Sequence, residues 1–189
     1  EGLKHADDKS DAYFIAELLR LGILPVGHIY DRKLRGVRDT FRRRMLLVSK
    51  RTSLLLSLRN LHSRTHGCSM DLAGARNGKL EDVVERFCQP YDRLVAEIEK
   101  SHIDAFTASI KRMEKEVLKV AGKLPNYGKL KTMRGIGEIL GMTIILEAGP
   151  ISRFKSAENF ASYCRAVQSK RMTNGKKKGE NNSKSGNRY

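Results

Sequence analysis

The chain has 189 residues, with 37 Lys or Arg against 21 Asp or Glu and a formal net charge of +16. Its hydrophobic content of 40% is too high for a disordered chain, and no apolar run approaches the roughly 18 residues that a membrane-spanning helix needs. The three cysteines form no CxxC pair, so we expect free thiols and a reducing, cytosolic compartment.

The positive charge is concentrated in two segments. Residues 31–66 contain eleven Lys or Arg against two Asp, and residues 165–189 contain eight against one Glu. With a pI near 10.0, this segregation is typical of a nucleic-acid-binding protein that contacts phosphates on two surfaces. An anionic membrane is the rival partner, but it requires an apolar face opposite the basic one. The alternative for each segment is a solvated face or a disordered tail.

The first thirty residues predict one helix and a short extended segment. Asp8 or Asp7 can cap a helix over residues 7–21, and Gly22 is suited to its C-terminal end. Residues 24–30 then have the character of an edge strand. The apolar stripe of the helix consists of Ala12, Ile15, Ala16, Leu18 and Leu19.

Two long helices are predicted in the middle of the chain. The first covers about residues 33–66 and the second about residues 80–124, with a glycine-rich turn region over 67–78 and a break in the second helix at Pro90. The second helix carries a heptad seam. The seam consists of Phe106, Ile110, Met113, Val117, Val120 and Leu124. It predicts a coiled coil, either as an antiparallel hairpin or as a dimerisation arm, with an ordinary bundle core as the alternative.

A small domain is expected after a linker at residues 125–128, ending in a loop-like tail. Gly135 and Gly137 stand between two apolar helical patterns, which is typical of the tight turn in helix-hairpin-helix DNA binders. Such a turn exposes backbone N–H groups to a phosphate. A purely structural turn between helices is the alternative.

Two further motifs carry chemistry. Asp8 and Asp11 lie three residues apart on one helix face and offer hard oxygen ligands to Mg²⁺, although acidic residues also favour a helix start without any metal. Near the C-terminus, the hydroxyl of Thr173 lies on a glycine-flanked basic loop, where cations could stabilise phosphoryl transfer. A basic loop with a spectator threonine is the alternative. The cations of this loop are Arg171, Lys176, Lys177 and Lys178.

In order and spacing these residues resemble one family, the DEDD-type insertion-sequence transposases, also called the Piv/MooV-like or IS-one-ten family. The resemblance rests on six stretches spread over nearly the whole chain. They are Asp8-x-x-Asp11-Ala12 with Ile15 to Pro25, the arginine-rich start of the long helix, Gly135-Ile136-Gly137, Ile151-Ser152-Arg153-Phe154, Phe160 to Arg165, and Ser185-Gly186-Asn187-Arg188-Tyr189.

The resemblance implies a mainly α chain with three regions. Residues 1–30 would be the remnant of a RuvC-like, ribonuclease-H-fold domain, residues 31–124 a long coiled-coil helix pair, and residues 130–189 a small helical transposase domain. It further implies DNA as substrate, a homo-oligomer (dimer or tetramer) at the bacterial nucleoid, no membrane, and in several members a structured guide RNA.

The resemblance also implies a mechanism of strand exchange. Four acidic residues hold Mg²⁺, and Asp8 and Asp11 match the last two, while the first two would precede Glu1. A serine forms a covalent bond to DNA; Thr173 occupies its position, and Ser169 is the alternative nucleophile. We therefore expect a recombinase fragment that lacks strand-transfer activity. The expected nucleic-acid contacts are Arg42, Arg43, Arg44, Gly135, Gly137, Arg171, Lys176, Lys177, Lys178 and Arg188.

A different class of function stays open beside this one. The same basic segments and helices would serve a non-catalytic DNA- or RNA-binding coiled-coil module, or an inactive remnant of a mobile element. A covalent protein–DNA adduct distinguishes a recombinase from a binding module.

Overall fold

The computed structural model describes residues 7–24, 27–167, 170–180, 186–187 and 189. The chain is mainly helical, as the sequence predicts. It divides into two units, Glu1–Asp31 and Arg32–Tyr189.

The first unit contains helix α1, Asp8–Arg20. Asp7 is the N-cap, and its Oδ1 accepts a hydrogen bond from the Ser10 N–H at 2.7 Å. At the other end, Gly22 and Ile23 donate to the carbonyls of Leu19 and Leu18, each at 3.1 Å. This pair of bonds is the Schellman motif, which closes a helix by satisfying its last carbonyls.

The extended segment predicted after α1 does not form a strand. Leu24 and residues 27–30, which are the described part of it, adopt irregular structure. An extended segment becomes a strand only when a neighbour pairs with its backbone. The described portion of this unit supplies no such neighbour.

The second unit begins with helix α2, Arg32–His66, and continues through two short helices, α3 at Leu72–Asn77 and α4 at Leu80–Val84. The glycine-rich region was predicted as turns, yet α3 lies within it because Asp71 caps the N–H groups of Ala73 and Gly74. Helix α5 covers Pro90–Ala121. The second long helix is therefore shorter than predicted, since Pro90 begins α5 at a position where a missing N–H costs nothing.

Helices α2 and α5 run antiparallel. Arg44 contacts Glu114, Arg51 contacts Thr107, and Ser57 contacts Glu99, so numbers rise along one helix as they fall along the other. In the predicted seam, Ile110 and Val117 are buried, whereas Val120 is exposed. Within the chain, α2 and α5 therefore form an antiparallel hairpin.

Two apolar clusters stabilise opposite ends of this hairpin. The cluster at the α3 end consists of Leu55, Leu58, Met70, Ala75, Phe87, Ala96 and Ile103. The cluster at the other end joins α2 and α5 to the C-terminal segment. Its buried members are Phe41, Val117, Ala121, Tyr127, Met142 and Leu146.

The C-terminal segment folds onto the second cluster. It comprises α6 (Tyr127–Lys131), α7 (Glu138–Ala148), a single 3₁₀ turn and α8 (Ala157–Tyr163). Helix α7 packs against α2, α5 and α6. The predicted linker thus contains a core residue: Tyr127 is buried and begins α6 directly after Asn126 reverses the chain with φ of 68°.

A β-hairpin follows where a loop-like tail was expected. Strands β1 (Lys170–Thr173) and β2 (Lys176–Glu180) pair antiparallel, with Thr173 opposite Lys176. Asn174 and Gly175 both have positive φ, at 50° and 72°. Together they make a type I′ turn, the Asn-Gly turn whose twist suits a two-residue hairpin. Among the described residues, no helix is long and apolar enough to cross a membrane.

Candidate nucleic-acid interface

The two acidic residues predicted to bind metal lie in the first turn of α1. Asp8 and Asp11 are exposed, whereas Asp7 is used as the cap. The hydrogen bond from the Ser10 backbone lowers the pKa of Asp7. In the described part of the chain, no group of three or more His, Cys, Asp or Glu is arranged to hold a metal. Two carboxylates still fit Mg²⁺, because this ion is usually held by one or two carboxylates and keeps several waters.

The three consecutive arginines of α2 do not form one surface. Arg42 forms an ion pair with Glu147 of α7, whereas Arg44 forms an ion pair with Glu114 of α5. Only Arg43 is exposed. Successive residues on a helix are turned by about 100°, so a run of three arginines covers most of the circumference.

The glycine turn lies at the surface, between α6 and α7. Residues 132–135 are all exposed, and Gly135 has φ of 90°. Gly137 is the N-cap of α7, where no described side chain caps the free N–H groups. Exposed Lys129, Lys131 and Arg134 surround this turn in sequence, with Glu138 the one acidic neighbour. The turn therefore combines backbone donors with cations.

The basic loop predicted to carry the nucleophile is the β-hairpin. Thr173 is the last residue of β1 and directly precedes the turn, while Arg171 lies in β1 and Lys177 and Lys178 lie in β2. Lys176, which follows the turn, is exposed together with the two turn residues. The backbone thus places Thr173 next to the turn of a hairpin that is rich in basic residues. Ser169 and Arg188 lie outside the described residues.

A partly buried polar network that the sequence pattern does not predict joins α2, α7 and α8 to Asn187. The Glu147 carboxylate accepts hydrogen bonds from Arg42 Nε (2.7 Å) and Nη2 (2.6 Å), and from Asn187 Nδ2 (2.8 Å). Tyr163 donates its hydroxyl to the Glu147 carbonyl oxygen at 2.7 Å and accepts from Asn187 Nδ2 at 2.8 Å. The hydrogen bond to Glu147 raises the pKa of Arg42.

One signal in the sequence could have revealed this network. Glu147 interrupts the apolar pattern of α7, and it is only 8% exposed. A buried carboxylate needs a charged or hydrogen-bonding partner. The sequence does not show which residue that partner is, because Arg42 precedes Glu147 by 105 positions.

Arg153 contacts both Tyr163 and the end of α7. Its Nε donates to the Ala148 carbonyl oxygen at 2.7 Å. The guanidinium lies over the rings of Phe154 and Tyr163, 4.1 Å and 4.5 Å from their centroids. These stacking contacts fix the Tyr163 ring in the position from which its hydroxyl reaches Glu147.

Comparison with protein families places this C-terminal segment among the transposases, a class of DNA-processing enzymes. Residues 127–189 match the model of the Transposase IS116/IS110/IS902 family. The match covers about a third of the chain, and over that third it supports the resemblance to an IS110-type transposase fragment. The matched range begins at the buried Tyr127 and includes α6 to α8 and the β-hairpin. No curated protein and no solved structure matches the chain.

Proposed function

We propose that this chain binds DNA as part of a transposase that exchanges strands in the transposition of an insertion sequence, using Mg²⁺ and a hydroxyl nucleophile, at the bacterial nucleoid. One observation carries the proposal. Thr173 directly precedes an exposed type I′ turn in a basic hairpin, inside the segment that matches the transposase family. A hydroxyl-bearing residue beside an exposed turn is accessible to a phosphodiester of bound DNA.

The proposed chemistry is attack of the Thr173 hydroxyl oxygen on a DNA phosphorus atom. An oxygen–phosphorus bond forms and the bond to one bridging DNA oxygen breaks. The threonine proton passes to water, and the leaving oxygen takes a proton from water, so that a free DNA hydroxyl is released. Lys176, with Arg171, Lys177 and Lys178, supplies positive charge near the phosphate oxygens as they gain negative charge. Ser169 remains the alternative nucleophile.

Mg²⁺ would be held by Asp8 and Asp11. When bound, the ion neutralises phosphate charge and orients the reacting oxygens. The role of the two residues themselves is to present exposed carboxylates on one face of α1, while Asp7 keeps the helix start intact.

DNA backbone contacts are proposed at the turn between α6 and α7. The N–H groups at the start of α7, after Gly137, have no described side-chain cap, and Gly135 is exposed just before them. Lys129, Lys131 and Arg134 add cations. On α2, Arg43 is the exposed member of the triplet. Contacts of this kind grip DNA without reading its sequence.

The binding part of the proposal is tested with a duplex of mixed sequence and a salt titration. We expect log K to fall linearly with log salt concentration, with a slope of about −0.9 per phosphate contact. Lys129→Gln should reduce that slope by about one contact, whereas Lys111→Gln, an exposed lysine on α5, should leave it unchanged. A flat salt response would contradict the proposal.

The nucleophile is tested with DNA in which a bridging sulfur replaces the leaving oxygen, so that attack releases a thiolate and traps the adduct. We expect an adduct from the wild-type chain, none from Thr173→Ala, and more from Thr173→Ser, because the threonine methyl crowds the attack. An adduct that persists in Thr173→Ala and disappears in Ser169→Ala would assign the alternative. Binding with no adduct at all would favour the non-catalytic DNA- or RNA-binding module.

A homo-oligomer is proposed through the first half of α5. Exposed apolar residues at Tyr91, Leu94, Val95 and Ile98 follow the three-and-four spacing of a packing helix face. A second copy of the chain could cover this face as a dimer. Sedimentation of the wild type and of Leu94→Glu tests it, and addition of a structured RNA to the same assay tests for a guide.

A further inference from the structure

The two ends of the segment that carries the β-hairpin meet at one place. Tyr163 ends α8 before the hairpin, and Asn187 comes after it. The Asn187 N–H donates to the Tyr163 carbonyl oxygen at 2.8 Å, and Arg165 Nη2 donates to the Gly186 carbonyl oxygen at 3.1 Å. One backbone bond and one side-chain bond therefore hold residues 163–165 next to residues 186–187.

We infer that Glu147, Tyr163 and Asn187 form a clasp that positions the Thr173 hairpin on the helical body. This inference rests on the proposed role of Thr173. The residues of the clasp are positioning residues, because Tyr163 and Asn187 join the two ends of the segment within which the hairpin lies in sequence.

The hydrogen bonds of Asn187 require a side chain that both donates and accepts. Asn187 Nδ2 donates both to Glu147 Oε2 and to the Tyr163 hydroxyl, while Asn187 Oδ1 accepts from the Tyr189 N–H at 2.9 Å. The Tyr163 hydroxyl donates its own hydrogen bond to the Glu147 carbonyl oxygen. An aspartate at 187 would have the same shape, but it would bring a second carboxylate against Glu147 and lose the donor.

Gly186, which directly precedes Asn187, is required for the clasp to form. Gly186 has φ of 83°, and a Cβ there would lie 2.8 Å from the Tyr163 carbonyl oxygen and 2.9 Å from Arg165 Cγ. Both the backbone conformation and the space exclude a side chain. The chain can therefore approach Tyr163 closely enough to form the clasp only with glycine at this position.

The clasp also gives Arg42 a role other than the DNA contact that the sequence predicted. Two of its guanidinium nitrogens are committed to the Glu147 carboxylate, which is 8% exposed. Charge-assisted bidentate pairs of this kind hold a fixed geometry. Arg42 thereby ties the clasp to α2.

The test is hydrogen exchange of the amides in residues 170–180, which does not depend on any reaction. In Asn187→Asp we expect protection of these amides to fall about tenfold or more, as loss of a hydrogen bond to a charged group predicts. Asn159→Asp, at an exposed position on α8, is the matched control and should leave protection unchanged. Circular dichroism verifies that the helices remain.

A double variant distinguishes the clasp from a general loss of packing. In Glu147→Gln with Asn187→Asp, the amide and the carboxylate exchange places, so the donor faces the acceptor again and protection should return in part. Unchanged protection in Asn187→Asp would overturn the inference, as would equal loss in the single and double variants. If protection responds as expected while wild type forms no DNA adduct, the clasp stands and the proposed chemistry of Thr173 fails.

Discussion

Replacement of Leu146 by alanine tests whether the transposase-type segment and the long helical hairpin share one core. Leu146 is 0% exposed and belongs to the cluster that includes Phe41 of α2 and Val117 of α5. Those neighbours sit on long helices that can collapse only partly into the space left behind. We therefore expect Leu146→Ala to cost about 3–4 kcal/mol, within the range of about 2–5 for buried leucines.

The matched control is Leu140→Ala on the same helix. Leu140 is 46% exposed, so its loss should change stability by less than about 0.5 kcal/mol. Urea unfolding followed by circular dichroism at 222 nm measures the free energy of unfolding of both variants. In thermal unfolding, the midpoint temperature of Leu146→Ala should fall by about 10 °C. Equal effects of the two substitutions, or a second unfolding transition in Leu146→Ala with the long helices unaffected, would refute the shared core.

Three further outcomes follow from local geometry. The backbone hydrogen bonds from Gly74 and Ala73 lower the pKa of Asp71 below its ordinary value of 3.8. The ionised Asp71 therefore stabilises the fold above that pH, and this stabilisation is lost as the pH falls through the lower pKa of the folded state. Urea titrations between about pH 5 and pH 2.5 should show this loss in wild type and a smaller one in Asp71→Asn, whose amide oxygen still caps the helix. Gly175→Val, which forces a branched side chain into a positive-φ turn residue, should destabilise the β-hairpin by about 1–2 kcal/mol, seen as faster amide exchange in β1 and β2. A double-mutant cycle between Arg44 and Glu114 should give a coupling of about 1 kcal/mol because both side chains are mostly buried, and a coupling of zero would contradict the ion pair.

The sequence predicts those parts of the fold that depend on short-range pattern. The helix α2 and most of α5 follow from apolar residues at spacings of three and four, and the end of α1 follows from Gly22. Helix α3 was missed because six residues are too few to show a period; only its cap, Asp71, marks it. The β-hairpin could have been predicted from Asn174-Gly175, an Asn-Gly pair between two short polar stretches.

The contacts that the sequence does not predict depend on distant partners. Arg42 and Arg44 are predicted with Arg43 to contact nucleic acid, but their ion pairs with Glu147 and Glu114 are not visible in the local pattern. Tyr127 was assigned to a linker because its neighbours are Pro, Asn and Gly, yet α7 supplies a core for it. Neither fact can be derived from local spacing, since each partner lies on another element of the fold.

The most direct test of the account is the position of bound DNA relative to the β-hairpin. A photo-crosslinking amino acid, p-benzoylphenylalanine, would replace Asn174 at the exposed turn in one variant and exposed Ser101 on α5 in another. With a labelled duplex at low salt, the account predicts crosslinks from position 174 and few from position 101. A duplex that binds but crosslinks equally from both positions, or from position 101 alone, would contradict the claim that the hairpin carrying Thr173 meets the DNA.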